Sequence, residues 1–267
     1  MTTLKTLMDM RGRRALITGA GGGLGRVMAE TLAELGADLV LVDRPECDMG
    51  ALAQHLRDQW AIGTQIMPCD LESEEQRTCL IELVKSDGLG LNVLINNAAF
   101  VGTSDLQGWV APFEQQTLDT WRRAMEVNLT AAFHLCQGLA PELRQAKGGN
   151  IINIASIYGE LGPDWRLYEG TAMGNPAAYA ASKGGLIQLT RWLATTLAPA
   201  IRVNSISPGG VFRNQPKEFF TRYEAKTPMR RMASEDDFRG VIAFVATDAS
   251  QYLTGQNLMI DGGWQAW

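Results

Sequence analysis

The sequence predicts an α/β fold: a doubly wound, seven-stranded parallel sheet flanked by helices, forming a single domain over residues 1–267. Three observations carry this expectation. Short apolar β-rich runs alternate with helical patterns from residue 13 to residue 261, which implies a parallel sheet covered on both faces. Right-handed crossovers then make the sheet doubly wound. A glycine-rich turn joins the first run to the first helix, and no repeat or low-complexity stretch interrupts the order.

Each element has a local reason. RRALIT (13–18) reads as the first strand, and Leu24, Val27, Met28, Thr31, Leu32 and Leu35 mark a helical face ended by Gly36. DLVLVD (38–43) is the second strand, followed by a helix from about Met49 to Trp60. TQIMPCD (64–70) gives the third strand and Glu72 to Lys85 the next helix. LNVLIN (91–96) is the fourth strand, and one long helix is expected over Thr117–Gln145. NIINIAS (150–156), a helix carrying Tyr179 and Lys183 to about Leu197, and IRVNSI (201–206) come next. A helix near Glu235–Thr247 and the strand NLMID (257–261) close the chain.

Composition narrows the function classes. A net charge of −5 and dispersed basic residues give no electrostatic case for nucleic acid. No run of 18 apolar residues suggests a membrane span, and Asp9 and Arg11 break the N-terminal stretch where a signal peptide would need an apolar core. Cys47, Cys69, Cys79 and Cys136 lack metal-ligand or C-x-x-C spacing and read as reduced thiols, so no metal is expected and a cytoplasmic location is.

The turn TGAGGGLG (18–25) is the first candidate site. Gly19 permits a sharp turn, Gly23 lets backbone approach a phosphate, and Gly25 allows close helix–strand packing. Gly22 and Leu24 share this turn, whose amides at a helix N-terminus suit the pyrophosphate of a dinucleotide. Asp43 ends the second strand, 18 residues beyond Gly25. Its carboxylate can accept from both ribose hydroxyls of adenosine and repel a 2′-phosphate, which favours NAD. Arg44 beside it can receive that phosphate instead, so NADP stays possible.

YAASK (179–183) is the second candidate. Of five tyrosines, only Tyr179 has a lysine four residues on. Positions i and i+4 share a helix face, so phenol and ammonium can share a site. A cation about 4 Å from a phenol, at an effective dielectric near 20, is worth about 4 kcal/mol, or roughly three pKa units. Such a shift brings a phenol into range for general acid–base work near neutral pH.

Together these motifs, with Asp70-Leu71, NNAA (96–99), Asn128, Ser156, PGG (208–210) and DGG (261–263), resemble the short-chain dehydrogenase/reductase family from residue 18 to 263. The resemblance implies a Rossmann-type, nicotinamide-dependent oxidoreductase acting on a small carbonyl or alcohol, usually as a homotetramer or dimer. It implies Tyr179 as the general acid–base, and Lys183 as the residue that tunes it and holds the nicotinamide ribose. It further implies that Ser156 donates to the substrate oxygen, and that Asn128 bends its helix and holds a water linked to the lysine. It implies that Asp70 receives the adenine amino group with Leu71 contacting it through backbone, and that Asn96, Asn97, Ala98 and Ala99 lie beside the adenosine ribose. By the same resemblance Pro208, Gly209 and Val211 are expected to hold the nicotinamide amide. Relatives often carry Thr after Pro-Gly, where this chain reads Val211-Phe212-Arg213-Asn214; Asn214 can substitute as the donor.

The 22 residues between Ser156 and Tyr179 exceed the family's usual count by about ten. The segment is rich in Gly, Pro and aromatics and borders the reacting carbonyl. Trp165, Tyr168 and Tyr158 can stack on a sugar ring, and Arg166 or Glu169 can bind polar groups; alternatively the loop packs against a neighbouring subunit. Its wording, with 214–216 and 227–233, is similar to bacterial oxidoreductases of flagellin glycosylation and nonulosonic-acid pathways, suggesting a sugar or sugar derivative as substrate. Competing readings are a 3-oxoacyl thioester reductase, opposed by Asp43 and the acidic chain, and a catalytically silent dinucleotide-binding regulator, opposed by the retained Tyr179 and Lys183. A sugar epimerase or dehydratase needs more C-terminal domain than this chain has.

Overall fold

The computed structural model describes residues 1–101 and 106–267. Its strands are β1 Arg14–Thr18, β2 Asp38–Asp43, β3 Thr64–Pro68, β4 Val93–Asn96, β5 Gly149–Ile154, β6 Ile201–Pro208 and β7 Asn257–Ile260. They form one sheet, parallel throughout, in the order β3-β2-β1-β4-β5-β6-β7. The helices are α1 Leu4–Leu7, α2 Gly23–Glu34, α3 Gly50–Trp60, α4 Glu74–Ser86, α5 Leu118–Met125, α6 Ala131–Gln145, α7 Ala177–Leu197, α8 Lys217–Lys226 and α9 Arg239–Ala246.

Strand geometry explains why the apolar runs are continuous. Successive side chains point to opposite faces. On β1, Ala15 and Ile17 pack with Met28, Leu32 and Ile242 from α2 and α9. Leu16 faces the other way, among Leu80, Leu135 and Leu193 from α4, α6 and α7. Both faces are covered, so every β1 side chain is buried.

Strand order reverses between β1 and β4, because the chain runs outward through β2 and β3 and then returns to the other side of β1. A crevice opens beyond the carboxyl ends of strands at such a switch point. Thr18 closes its floor: its Oγ1 accepts from the amides of Asn97 at 3.0 Å and Ala98 at 3.1 Å.

Three departures from the sequence reading bear on the site. The helix expected over Thr117–Gln145 is divided by a π-helical turn at Glu126–Thr130, with Asn128 buried at its centre. The helix expected near Glu235–Thr247 begins as a 3₁₀ turn, Glu235–Phe238, fixed by a capping box from Ser234 and Asp237. Helix α8 has no counterpart in the sequence reading. It is short and polar, and it shows the core only Phe219 and Tyr223, four residues apart.

Candidate active site

The crevice holds a cleft of ≈ 820 Å³, lined from the ends of β1, β2, β4, β5 and β6 and from α7. Its glycine-rich wall has steric reasons. A Cβ at Gly25 would stand 2.0 Å from the Gly19 carbonyl oxygen, so no other residue lets α2 approach β1 this closely. Gly19 itself has φ +66°, a conformation L side chains rarely adopt. Gly22 caps α2 without any side-chain hydrogen bond, and no acidic residue stands in the first turn. The first amides of α2 therefore suit an anion. Gly22, Gly23 and Leu24 line the cleft here.

Asp43 sits at the end of β2, where its Oδ2 accepts from Gly21 at 2.9 Å and its Oδ1 from Arg44 at 2.8 Å. These amides orient the carboxylate toward the cleft that Asp43 and Arg44 both line. Asp70, Leu71, Ala98 and Ala99 line the next stretch, and Pro208, Gly209 and Val211 the far wall. Asn96 and Asn97 part ways. Asn97 lines the cleft and donates to the Thr18 carbonyl at 2.9 Å. Asn96 turns into the interior, donating to Asn153 at 2.8 Å, so it has no place beside a ribose. The parity of the strand decides this, since neighbours point to opposite faces. These observations fit a dinucleotide: an uncapped helix start, glycines a Cβ would block, and a carboxylate at the end of β2.

Ser156 follows β5, and Tyr179 and Lys183 lie on the first turns of α7; all three line the cleft. Gly159 sets their spacing. A Cβ there would meet the Lys183 backbone carbon and oxygen at 2.9 Å, so glycine lets the 3₁₀ turn after Ser156 press against α7. Lys183 is 2% exposed, and its Nζ donates to the Ile154 carbonyl at 2.8 Å. Burial alone lowers its pKa to about 8. Asn128, also 2% exposed, lies behind the cleft wall. It accepts from the Phe100 amide at 2.6 Å and donates to Ser182 at 3.0 Å, while Ser182 donates to the Tyr179 carbonyl at 2.8 Å. Its contacts tie the β4 loop to α7.

A second cation joins the expected ammonium–phenol pair. Lys183 Nζ lies 5.8 Å from the centre of the Tyr179 ring. Burial pushes the phenol above its ordinary value, a hydrogen bond from Ser156 pulls it down, and the positive charge of Arg213 pulls it down further. Within the protein Arg213 is thus a cation that opposes burial of the phenol. Arg213 lines the cleft with Phe100, Arg123 and Gln215, and none of the four carries a motif that marks it in the sequence. Asn214, the expected replacement donor, sits exposed in the left-handed region at φ 58° and does not line the cleft.

The aromatic insertion also differs. Tyr158 and Tyr168 hydrogen-bond each other at 2.7 Å, and Tyr168 is buried with Phe219, Tyr223 and Trp264. Arg166 pairs with Asp164 at 2.7 Å, as does Lys226 of α8 at 2.8 Å. Arg222 donates to the Glu169 carbonyl at 2.5 Å. Neither Trp165, Tyr158, Tyr168, Arg166 nor Glu169 lines the cleft. The insertion is built onto α8 of its own chain.

What remains at the reacting end is two hydroxyls, Ser156 and Tyr179, with a buried amine behind them. Such a set can donate to a carbonyl oxygen and move a proton to or from it. These residues would hold a nicotinamide, which would supply or accept the hydride and in its oxidised form would add positive charge to the cleft. No group of His, Cys, Asp and Glu able to hold a metal occurs among the described residues, and no described helix is long and apolar enough to cross a membrane.

Comparisons with known proteins agree with this fold. A family model described as enoyl-(acyl carrier protein) reductase matches residues 19–265. A tropinone reductase homologue of Arabidopsis thaliana is 35% identical over 97% of this chain and 92% of its own. Among solved structures, a gluconate 5-dehydrogenase from Burkholderia cenocepacia, in complex with NADP and tartrate, superposes with a TM-score of 0.86 at 30% identity, covering 99% of this chain and 100% of that one. An NAD⁺-bound xylitol dehydrogenase gives a TM-score of 0.83 at 32% identity, covering 95% and 99%.

Proposed function

The chain belongs to the short-chain dehydrogenase/reductase family and is an NAD(P)-dependent oxidoreductase, and on that premise we propose that it interconverts a secondary alcohol and a ketone on a polyol, sugar or sugar acid. The observation that carries this reading is the convergence of Ser156, Tyr179 and Lys183 on one cleft with the dinucleotide-shaped wall. In this reading Tyr179 moves the proton, Ser156 holds the reacting oxygen, Lys183 holds the nicotinamide ribose, and Asn128 positions the wall behind them. The gluconate and xylitol dehydrogenases among its relatives support a polyol. We further propose a place beside the bacterial oxidoreductases of nonulosonate and flagellin-modification pathways, which the wording of the insertion resembles. A panel of gluconate, xylitol, galactose, tropinone and acetoacetyl thioester, each with NAD(H) and NADP(H), tests it. Turnover of polyols or sugar acids is the expected result; turnover confined to the thioester rejects the proposal.

NAD is the proposed dinucleotide, because the Asp43 carboxylate is held toward the cleft by two backbone amides. The solved relatives carry either dinucleotide, so the preference rests on this residue. Asp43→Asn keeps the shape and removes the charge, and is expected to lower the NADPH-to-NADH ratio of dissociation constants by about tenfold. An unchanged ratio in a fluorescence titration would place the discrimination elsewhere.

We also propose a cytoplasmic, single-domain chain that self-associates through α5, α6 and α7. Leu118, Trp121, Phe133 and Trp192 support this, being 68%, 38%, 43% and 56% exposed on those helices. A monomer in sedimentation velocity at micromolar concentration would contradict the association.

A further inference from the structure

Arg213 lies in the stretch after Pro-Gly where this chain departs from its relatives, and its loop is built to hold it. The Phe212 amide donates to the Ala233 carbonyl at 2.8 Å, the Arg213 amide to Gln215 Oε1 at 2.7 Å, and Gln215 Nε2 to the Val211 carbonyl at 2.8 Å. The guanidinium reaches across the cleft mouth to the start of α2. Its Nη2 lies 2.9 Å from the point where a Cβ on Gly23 would stand, and Glu235 Oε1 lies 2.7 Å from that same point. Nε donates to Glu235 Oε1 at 3.2 Å. Nη1 and Nη2 have no hydrogen-bond partner among the described residues.

We propose that Arg213 is a diphosphate clamp for the dinucleotide, and that Glu235 is the arm it must leave to do so. This rests on the dinucleotide reading given above. The Arg213–Glu235 contact is a single hydrogen bond between side chains 52% and 32% exposed, a weak class of ion pair. A diphosphate at the amino end of α2 offers several anionic oxygens to the two unengaged Nη groups, a stronger, bidentate arrangement. Glu235 opposes it twice, by holding the guanidinium and by placing a carboxylate at the helix start that favours anions. The clamp also reaches the chemistry, since the charge of Arg213 is one that steadies the Tyr179 phenolate. Arg213 lines the cleft while Glu235 does not, which gives the guanidinium a path from one anion to the other.

The test is direct titration of NADH by its fluorescence, without substrate, on wild type, Arg213→Gln, Arg213→Lys, Glu235→Gln and the Arg213→Gln/Glu235→Gln pair, with thermal melts confirming each fold. Arg213→Gln is expected to raise the dissociation constant about tenfold, and Arg213→Lys to recover part of that. Glu235→Gln is expected to tighten binding about threefold, with a smaller gain in the Arg213→Gln background. Arg213→Gln within twofold of wild type, or Glu235→Gln weakening the binding of NADH, overturns the clamp. So does an unchanged NADH constant combined with a raised KM for an anionic substrate, which would assign the guanidinium to substrate. Failure of wild type to bind either dinucleotide would instead reject the reading beneath it.

Discussion

Tyr179→Phe is expected to lower kcat by about 10³-fold while leaving the dissociation constant of NADH within about twofold, because general acid–base catalysis by one positioned group contributes about 10² to 10⁴. The variant should fold. The Tyr179 ring packs beside Trp109, Ala124 and Ala178, and phenylalanine preserves that packing while removing only the hydroxyl. Ser156 can still hydrogen-bond the substrate oxygen, so some turnover should survive, and it should lose the pH dependence that a titrating phenol imposes. The starting point for that phenol is high: burial raises it more than Ser156 and Arg213 lower it. Turnover on the alcohol side should therefore climb as the solution is made alkaline, and the rise should vanish in Tyr179→Phe. Stopped-flow hydride transfer against pH reads both effects. A variant retaining a tenth of wild-type kcat would remove Tyr179 from the role.

Residues whose demands are local could be read from the chain, whereas residues placed by a folded path could not. Gly19 and Gly25 announce themselves because backbone angle and steric contact at the first turn allow little else. Tyr179 and Lys183 are set four apart on one helix, and helical spacing alone brings them to one wall. Asn96 and Asn97 show where such reading stops: the motif names both, and only the strand's parity decides which faces the cleft. Arg213 was hidden for a different reason. Its reach to Gly23 depends on a left-handed turn at Asn214 and on Ala233 pairing from 20 residues downstream. The insertion's aromatics suited a sugar face equally well in sequence, but α8 offers Phe219 and Tyr223, and burying Tyr168 against them removes apolar surface from water. The divided helix at Asn128 follows from competition. A buried amide bonding Phe100 and Ser182 is satisfied by a π-helical turn, whereas an uninterrupted helix spaces its groups differently.

Lys183→Met is expected to separate stability from function. Folding moves the lysine from its ordinary 10.5 to about 8 because the cleft wall penalises an ammonium 2% exposed, a difference worth about 3 kcal/mol. Below pH 8 folded and unfolded chains are both protonated at this position, so the folded chain carries the whole penalty. Between pH 8 and 10.5 the unfolded chain binds the extra proton, and stability recovers as pH rises. Methionine fills similar volume without charge, at the loss of one hydrogen bond to the Ile154 carbonyl, about 1–2 kcal/mol. At pH 7 the variant should therefore melt higher, by roughly 2–6 °C for a net gain of about 1–2 kcal/mol. The advantage should shrink steadily toward pH 10. Turnover should fall by at least about 10²-fold, because an amine close to the Tyr179 ring and the proposed donor to the nicotinamide ribose are gone together. Differential scanning calorimetry from pH 7 to 10 measures the first effect and steady-state kinetics the second. A variant that melts lower than wild type, by an amount independent of pH, would mean that Lys183 is held by favourable contacts rather than tolerated for its chemistry. The proposed division between a stable fold and a strained, useful amine would then fail.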